Sequence, residues 1–534
     1  MCGIFAVILT DPTLRKSRRY YLSLAMKHLH RGPDQLSCTE LITHDFYCIL
    51  IFHRLAIMDV DGGHQPFQTE NGLYCIANGE IYNSKLLQTL HGLKTKSQSD
   101  CEVIPLLYEK MGPSAISLLD GCFAWILIDI QKGEFVVARD HIGIIPLYYV
   151  KMSSGYAFSS EVKCLLPFEN PQIFPPREMV HIQNQKWTQT CWYQTPWTIV
   201  TPTTKRKDQY FPLCQEVFCK AIQKRLQCDV PFACLLSGGF DSSLVTSIAS
   251  SFVGPQKLHT FTVGLKDSPD LEPARKLAQY CQTIHHEYIF TVQEGLDVIP
   301  EVIKHLETFD VTTIRSATPQ YLLAKHIRSH GFKMVLSGEG SDEAWAGYLY
   351  FHYAPNDAEL ARECRMKVKN LHHYDCLRTN KIMMASGIET RVPFLDQELL
   401  SFCMEILPTS FKHPKSFPYQ NKPLEKGYLR HCFQEMLPPD ICWRQKAQFS
   451  DSVGSRWING IHSYVEEHET YLKELYPHCN TLEEAWYLSI YDSYQYPRHL
   501  TKTEPSIACS TASALKWMSN TPIDPSGSFL MDQV

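Results

Sequence analysis

The chain has 534 residues, 44% of them hydrophobic, and a formal net charge of −5. That length exceeds a typical single domain and predicts two or three, each with enough apolar residues to fill a core. The weak negative charge and the lack of a long basic run exclude a nucleic-acid binder or a protein held on an anionic membrane, and no run approaches the ~20 apolar residues that span a bilayer. Twenty cysteines are scattered without CxxC spacing. With no secretory segment after Met1, free thiols in a reducing cytoplasm are expected rather than a disulfide framework.

The chain opens Met1-Cys2-Gly3-Ile4-Phe5. Once Met1 is removed, Cys2 carries a thiol and a free α-amine of pKa ~7.7–8 on one Cα, so a nucleophile and its base come from one residue. Up to about Trp187, short β-rich runs alternate with turns, Ala124 to Asp129 and Glu134 to Arg139 among them, which predicts stacked antiparallel sheets. In this part Arg54 can pair bidentately with an α-carboxylate, and Asp100 can hold an ammonium group. Asn78 supplies a side-chain amide and Gly79 an N–H with no Cβ in the way, a pair suited to a tetrahedral oxyanion. Asn78-Gly79 is also the sequence of a hairpin turn.

From Trp192 to Asp208 the chain is rich in Thr, Pro and basic residues, including Lys205-Arg206-Lys207, and reads as a solvated linker. Pro231 to Leu236 is a short apolar run expected to be a buried strand, and Ser242 to Ser251 has the spacing of a helix start. Between them Ser237-Gly238-Gly239-Phe240-Asp241-Ser242-Ser243 would turn backbone N–H groups toward an anion. No Gly-Lys-Ser/Thr closes this loop, so it is not a Walker A motif. Met334-Val335-Leu336 then leads into Ser337-Gly338-Glu339-Gly340-Ser341-Asp342-Glu343, a second small, acidic loop. Two such loops would face each other across parallel strand ends. Asp241 and Asp342 would supply hard oxygens for a magnesium–pyrophosphate complex, with Glu339 near the α-phosphate. Alternating strand and helix patterns from Phe211 to about Gly347 predict a doubly wound parallel sheet. The remainder, including Ala358 to Leu377, reads as mainly helical, with a partly ordered tail after Tyr496. The His285-His286 and His372-His373 pairs lack the companion ligands a zinc site needs.

Cys2-Gly3-Ile4, Arg31-Gly32-Pro33-Asp34, His53-Arg54-Leu55-Ala56-Ile57-Met58-Asp59, Asn78-Gly79-Glu80-Ile81-Tyr82-Asn83 and Ser99-Asp100-Cys101-Glu102 follow one another in the order seen in class II glutamine amidotransferases, which the first part resembles. The Ser237 to Ser243 loop looks like that of the ATP pyrophosphatases. Further stretches, among them Gln293 to Asp297, Asp310 to Arg315, Tyr348 to His352, Glu389 to Asp396, Trp443 to Lys446 and Ser506 to Ser510, extend the resemblance over essentially the whole chain. It is similar to glutamine-hydrolysing asparagine synthetases of the bacterial and plant B type.

This resemblance implies an α+β glutaminase domain at 2–187, a four-layer αββα sandwich of antiparallel sheets, and a linker at 188–209. An α/β synthetase domain at 210–496 would follow, an ATP-pyrophosphatase-like doubly wound sheet with extra helices, and a tail at 497–534. Cys2, Asn78, Gly79 and Glu339 would be catalytic, and Arg54, Leu55, Ala56, Ile57, Met58, Asn78, Gly79, Glu80 and Asp100 would bind glutamine. Leu236, Val263, Ser337 and Gly338 would bind the nucleotide, with Ser237, Gly238, Gly239, Asp241, Ser242 and Ser243 around pyrophosphate. Glu343, Asp375, Arg378 and Lys446 match positions associated with aspartate, the adenylate or ammonia, although basicity alone does not single out Lys446 over Lys422 or Lys426. The implied substrates are ATP, L-aspartate and L-glutamine, with Mg2+, a dry interdomain passage for ammonia, and often a homodimer. A related amidotransferase adenylating another carboxylate is the alternative. Phe240 stands where such loops usually have leucine, Gln35-Leu36-Ser37 lacks the usual glycine, and His53 replaces an acidic residue.

Overall fold

The computed structural model describes residues 1–184, 186–195, 197, 206–445, 453–503 and 511–518. The first part is built on β1 (Gly3–Leu9), β2 (Gln35–Ile42), β3 (Tyr47–Arg54), β4 (Phe67–Gln68), β5 (Leu73–Ile81), β6 (Gly121–Asp129), β7 (Glu134–Arg139), β8 (Tyr148–Met152), β9 (Gly155–Ser159), β10 (Gln172–Ile173), β11 (Glu178–Gln183) and β12 (Lys186–Cys191). These pair antiparallel into two six-stranded sheets, ordered β10-β8-β9-β1-β3-β2 and β12-β11-β7-β6-β5-β4. The sheet therefore continues to Cys191, past the expected end of the domain at residue 187.

Strand alternation sorts the layers. In β1, Ile4, Ala6 and Ile8 pack with Ile76, Ala124 and Ile126 of the second sheet. Phe5, Val7 and Leu9 point the other way, onto Tyr21, Leu24 and Ala25 of α1 (Arg18–Ala25). On the far side of the second sheet, Ala77, Trp125 and Leu127 pack against α2 (Ser84–His91) and α3 (Val103–Met111) through Leu87, Ile104 and Leu107. The result is the four-layer αββα order.

The second part alternates helices α4 (Phe211–Arg225), α5 (Phe240–Val253), α6 (Leu271–Tyr280), α7 (Val292–Leu306) and α8 (Val311–Ser329) with β13 (Phe232–Leu235), β14 (His259–Gly264), β15 (Ile284–Ile289), β16 (Met334–Leu336) and β17 (Glu389–Arg391). The strands form one parallel sheet in the order β15-β14-β13-β16-β17. The chain winds outward from β13 through β14 to β15, then restarts beside β13 with β16. The loops after β13 and β16 thus meet at the point where the winding reverses, the position at which α/β sheets bind ligands. Four further helices complete the part nearest this point: α9 (Ser341–Ala344), α10 (Asp357–Asn370), α11 (Asp375–Met384) and α12 (Gln397–Ser401). Among the described residues, no helix is long and apolar enough to cross a membrane.

The two parts share buried charge. Asp396 caps α12 by accepting the N–H of Glu398 at 3.0 Å, and its carboxylate also pairs with Arg225 at 2.6 Å and Lys224 at 2.5 Å. Lys224 reaches on to Asp120 of the first part at 2.6 Å. Burial opposes the Asp396 charge, yet Arg225 and Lys224 hold its pKa below the usual carboxylate value. Replacing Asp396 by Ala would leave Arg225 buried without its partner, which costs about 3–5 kcal/mol. Thermal denaturation of Asp396→Ala should show that loss as a lowered midpoint.

Candidate active site

Cys2 lies at the start of β1, and its thiol meets the chain just past β3, where the Leu55 N–H points at Sγ from 3.4 Å. The Cys2 N–H donates to Asn78 Oδ1 at 2.6 Å. Asn78 is fully buried, and its Nδ2 has no hydrogen-bond partner, leaving an unused donor beside the thiol. Asn78-Gly79 is not a hairpin turn: both residues lie inside β5, opposite Ala124 and Phe123 of β6. Gly79 has φ +154°, and a Cβ there would sit 2.1 Å from the Cys122 carbonyl oxygen, so no larger residue fits. Burial pushes the Cys2 thiol pKa up, against the pull of the Met1 ammonium and the Leu55 N–H. Asp100 is also buried, its pKa raised to about 6, and it accepts the Ile81 N–H at 2.5 Å.

Arg54 is engaged differently from the expected carboxylate clamp. Its guanidinium donates to the carbonyls of Met58 at 3.2 Å, Val60 at 3.3 Å and Asp59, tying down the loop that follows. From the other side Asp34 accepts the Ala56 N–H at 2.8 Å and pairs with Lys333 at 2.8 Å. Leu55, Ala56, Ile57 and Met58 therefore form a loop pinned at both edges beside Cys2. Glu80 turns toward Arg391 at 2.9 Å.

The three departures from the family pattern leave this site intact. The missing glycine does not disturb the turn, because Asp34 N–H still reaches the Arg54 carbonyl at 3.1 Å and Gln35 enters β2 opposite Arg54. His53 is buried edge-on against His28, ring centroids 4.9 Å apart, and burial lowers its pKa to about 4, so both it and the likewise lowered His28 are neutral. Phe240 is 4% exposed with the Arg430 guanidinium 4.8 Å over its ring, so the ring faces the core and not the loop.

The second centre is a cavity of about 180 Å³ where the winding of the parallel sheet reverses. It is lined by Leu236, Ser237, Asp241 and Ser242 after β13, Val263 of β14, Ser337, Gly338, Glu339 and Asp342 after β16, and Asp375 and Arg378 of α11. Residues predicted from separate stretches of sequence converge here. Gly238, Gly239, Ser243 and Glu343, also predicted for this site, are not among the residues that line the cavity. Gly238 has φ +72°, and a Cβ would lie 2.6 Å from the Ala274 nitrogen. Lys446 lies outside the described residues.

Of the described lysines, Lys426 reaches the acidic side chains of both loops. Its ammonium, nearly fully buried, sits between Asp241 at 2.5 Å and Asp342 at 2.6 Å. Two carboxylates converging on one cation are a fitting donor set for magnesium, which commonly takes one or two carboxylates and completes its shell with substrate phosphates and water. Among the described residues no group of three or more acidic, His or Cys side chains forms a site by itself. Gln320, Tyr348, Lys367 and Tyr374 also line the cavity and were not anticipated.

Arg378 organises the far wall. It donates to Gln320 Oε1 at 2.8 Å, Glu339 Oε1 at 2.9 Å and Asp375 Oδ1 at 2.7 Å. Burial works against the Asp375 charge, but Arg378 prevails and holds its pKa below the usual value. Glu343 goes the other way: burial first, then the negative charges of Asp375 and Asp342, raise it to about 8, and Tyr348 donates to it. A carboxyl raised in the folded state binds its proton there while the unfolded chain has released it. Stability should therefore fall as pH rises from about 4.5 to 8, by up to about 1.4 kcal/mol per unit. Chemical denaturation at a series of pH values should show this slope, and Glu343→Gln should flatten it.

Residues 1–195 match the glutamine amidotransferase domain family, and residues 213–361 and 353–474 match the asparagine synthase family. The glutamine-hydrolysing asparagine synthetase of Zea mays is 42% identical over 563 aligned residues, covering 99% of this chain and 93% of the relative. Synthetase 3 of Arabidopsis thaliana is 43% identical, with 99% and 94% covered, and the Triphysaria versicolor synthetase is 41% identical, with 99% and 93% covered. The motifs, both centres and near-complete coverage agree: the chain belongs to the glutamine-hydrolysing asparagine synthetase family.

Proposed function

We propose that this protein makes L-asparagine from L-aspartate, ATP and L-glutamine, releasing glutamate, AMP and pyrophosphate. The observation that carries this reading is a narrow cavity between the two centres. Its lining includes Met1, the neighbour of Cys2, together with Ile144, Leu371, Thr379, Thr390 and Val392, and also Glu339 and Asp375 of the second centre. Ammonia released into water at neutral pH takes up a proton and is no longer a nucleophile, so a passage walled by protein is what the coupled reaction needs. Nineteen free cysteines among the described residues fit a reducing, cytoplasmic setting.

At the first centre, with Met1 removed, the Cys2 α-amine takes the thiol proton and sulfur attacks the glutamine side-chain amide. Asn78 Nδ2 and the Gly79 N–H donate to the oxyanion, ammonia leaves, and water hydrolyses the thioester to glutamate. At the second centre the aspartate side-chain carboxylate attacks the α-phosphorus, and pyrophosphate departs into the Ser237 to Ser243 loop. Asp241 and Asp342 would hold Mg2+, which neutralises phosphate charge when nucleotide is bound. Lys426 lies close enough to the same carboxylates to meet the leaving polyanion. Arg378, which already holds carboxylates, orients aspartate. The incoming ammonia attacks the acyl carbon, AMP leaves, and the proton that the nitrogen gives up passes to the departing phosphate or to water.

Three experiments test this. Cys2→Ala should abolish glutamine use while ammonia-dependent synthesis continues; loss of both in folded protein would reject the separation of centres. Asp241→Asn should reduce aspartate-dependent pyrophosphate release by about 10²–10³ while glutamine hydrolysis persists. Release at the normal rate would remove Asp241 from the mechanism. Val392→Trp should fill the passage, so that asparagine formed per glutamine hydrolysed falls well below one while synthesis from added ammonia is retained.

A further inference from the structure

One helix touches both centres. At the nucleotide cavity, Arg378 of α11 grips Glu339 and Asp375. Two residues on, Asn380 Oδ1 accepts Arg31 Nη2 at 2.9 Å. Arg31 in turn donates from Nε to the Cys2 carbonyl at 3.0 Å. From Cys376 to Met384 every residue of α11 is buried, so the helix has little freedom to bend between its two grips.

The Arg31 contact is fixed on its other side as well. Arg31 Nη1 donates to Glu161 at 3.2 Å, Glu161 pairs with Lys163 at 2.8 Å, and Glu307 accepts the N–H of Lys163 at 2.7 Å and of Val162 at 2.8 Å. Lys381, the residue after Asn380, closes the ring by pairing with Glu307. All these side chains are buried. Arg31 is thus a buried side chain that joins α11, through Asn380, directly to the backbone of the nucleophile.

We propose that α11 reports the filling of the nucleotide cavity to Cys2, with Asn380 and Arg31 as the positioning residues that make the link. Aspartate brings carboxylates that compete with Glu339 and Asp375 for the Arg378 guanidinium, which shifts the N-terminal turn of the helix. Asn380 passes the shift to Arg31, and Arg31 sets the Cys2 backbone, and so its sulfur, against Leu55 and Asn78. Glutamine hydrolysis is then fast only when the second centre is ready for ammonia. This inference rests on the proposed function.

The test uses the full chain with Met1 removed and compares glutamine hydrolysis with and without aspartate plus magnesium–ATP. The unaltered protein should speed up by about fivefold or more, the low end of usual coupling between sites. Asn380→Ala should bring that ratio close to one while ammonia-dependent synthesis continues. Asn380→Asp, which keeps an acceptor oxygen for Arg31, should restore the ratio, an effect that a merely structural role would not produce. Arg31→Lys keeps a charge for Glu161 but cannot span the Cys2 carbonyl and Asn380 together, and it should repeat the loss if Asn380→Ala does not fold. An unchanged ratio in either disrupted variant, or no acceleration in the unaltered protein, overturns the proposal and leaves the proposed function standing. A protein inert toward glutamine in both states would overturn both.

Discussion

Arg391 is buried, and the way its charge is satisfied ties the two halves together between their centres. Its guanidinium meets Glu80 of β5 at 2.9 Å and Glu389 of β17 at 2.6 Å, and it donates to the carbonyls of Arg225 at 2.9 Å and Gln227 at 2.6 Å. Glu80 lies two positions from Asn78 in the same strand, and β17 is the neighbour of β16, whose following loop carries Glu339. One guanidinium thus fixes the distance between an oxyanion donor and an adenylation site. Removing any partner would strand charge in a dry interior, and breaking such a pair costs about 3–5 kcal/mol. The rigidity of the passage follows from that cost.

Much of the chemistry was legible because each piece is local. Ser237 to Ser243 is a loop between a strand and a helix, and its anion-binding character depends on glycines and hydroxyls adjacent in sequence. The same holds for Ser337 to Glu343, and the parallel order of β13 and β16 brings the two loops together. Stacked antiparallel sheets were readable from short β-rich runs such as Ala124 to Asp129, whereas their four-layer αββα order came from the family resemblance and not from the strand pattern.

What escaped were side chains whose role is set by remote neighbours. Lys426 has no motif around it; it matters because α9 and the first turn of α5 place Asp342 and Asp241 on either side of it. Gln320 sits mid-helix in α8 and is recruited only through Arg378. The contacts of Arg54 were hidden for a related reason: nothing in its own sequence shows that three backbone carbonyls meet its guanidinium. Residue type names a capacity, and the fold decides whether that capacity is already spent.

The seam also carries a consequence for synthesis. Glu80, Arg31 and Val162 are made early, but their partners Arg391, Asn380 and Glu307 come much later in the chain. At usual translation speeds roughly 300 residues separate Glu80 from Arg391, a delay on the order of 15–60 s. During that interval Glu80 lacks its guanidinium, and Arg31 holds Cys2 and Glu161 but not Asn380. The first half waits on the ribosome with this bracing incomplete. Synthesis order thus leaves the seam of the first half unpaired until the second half is made.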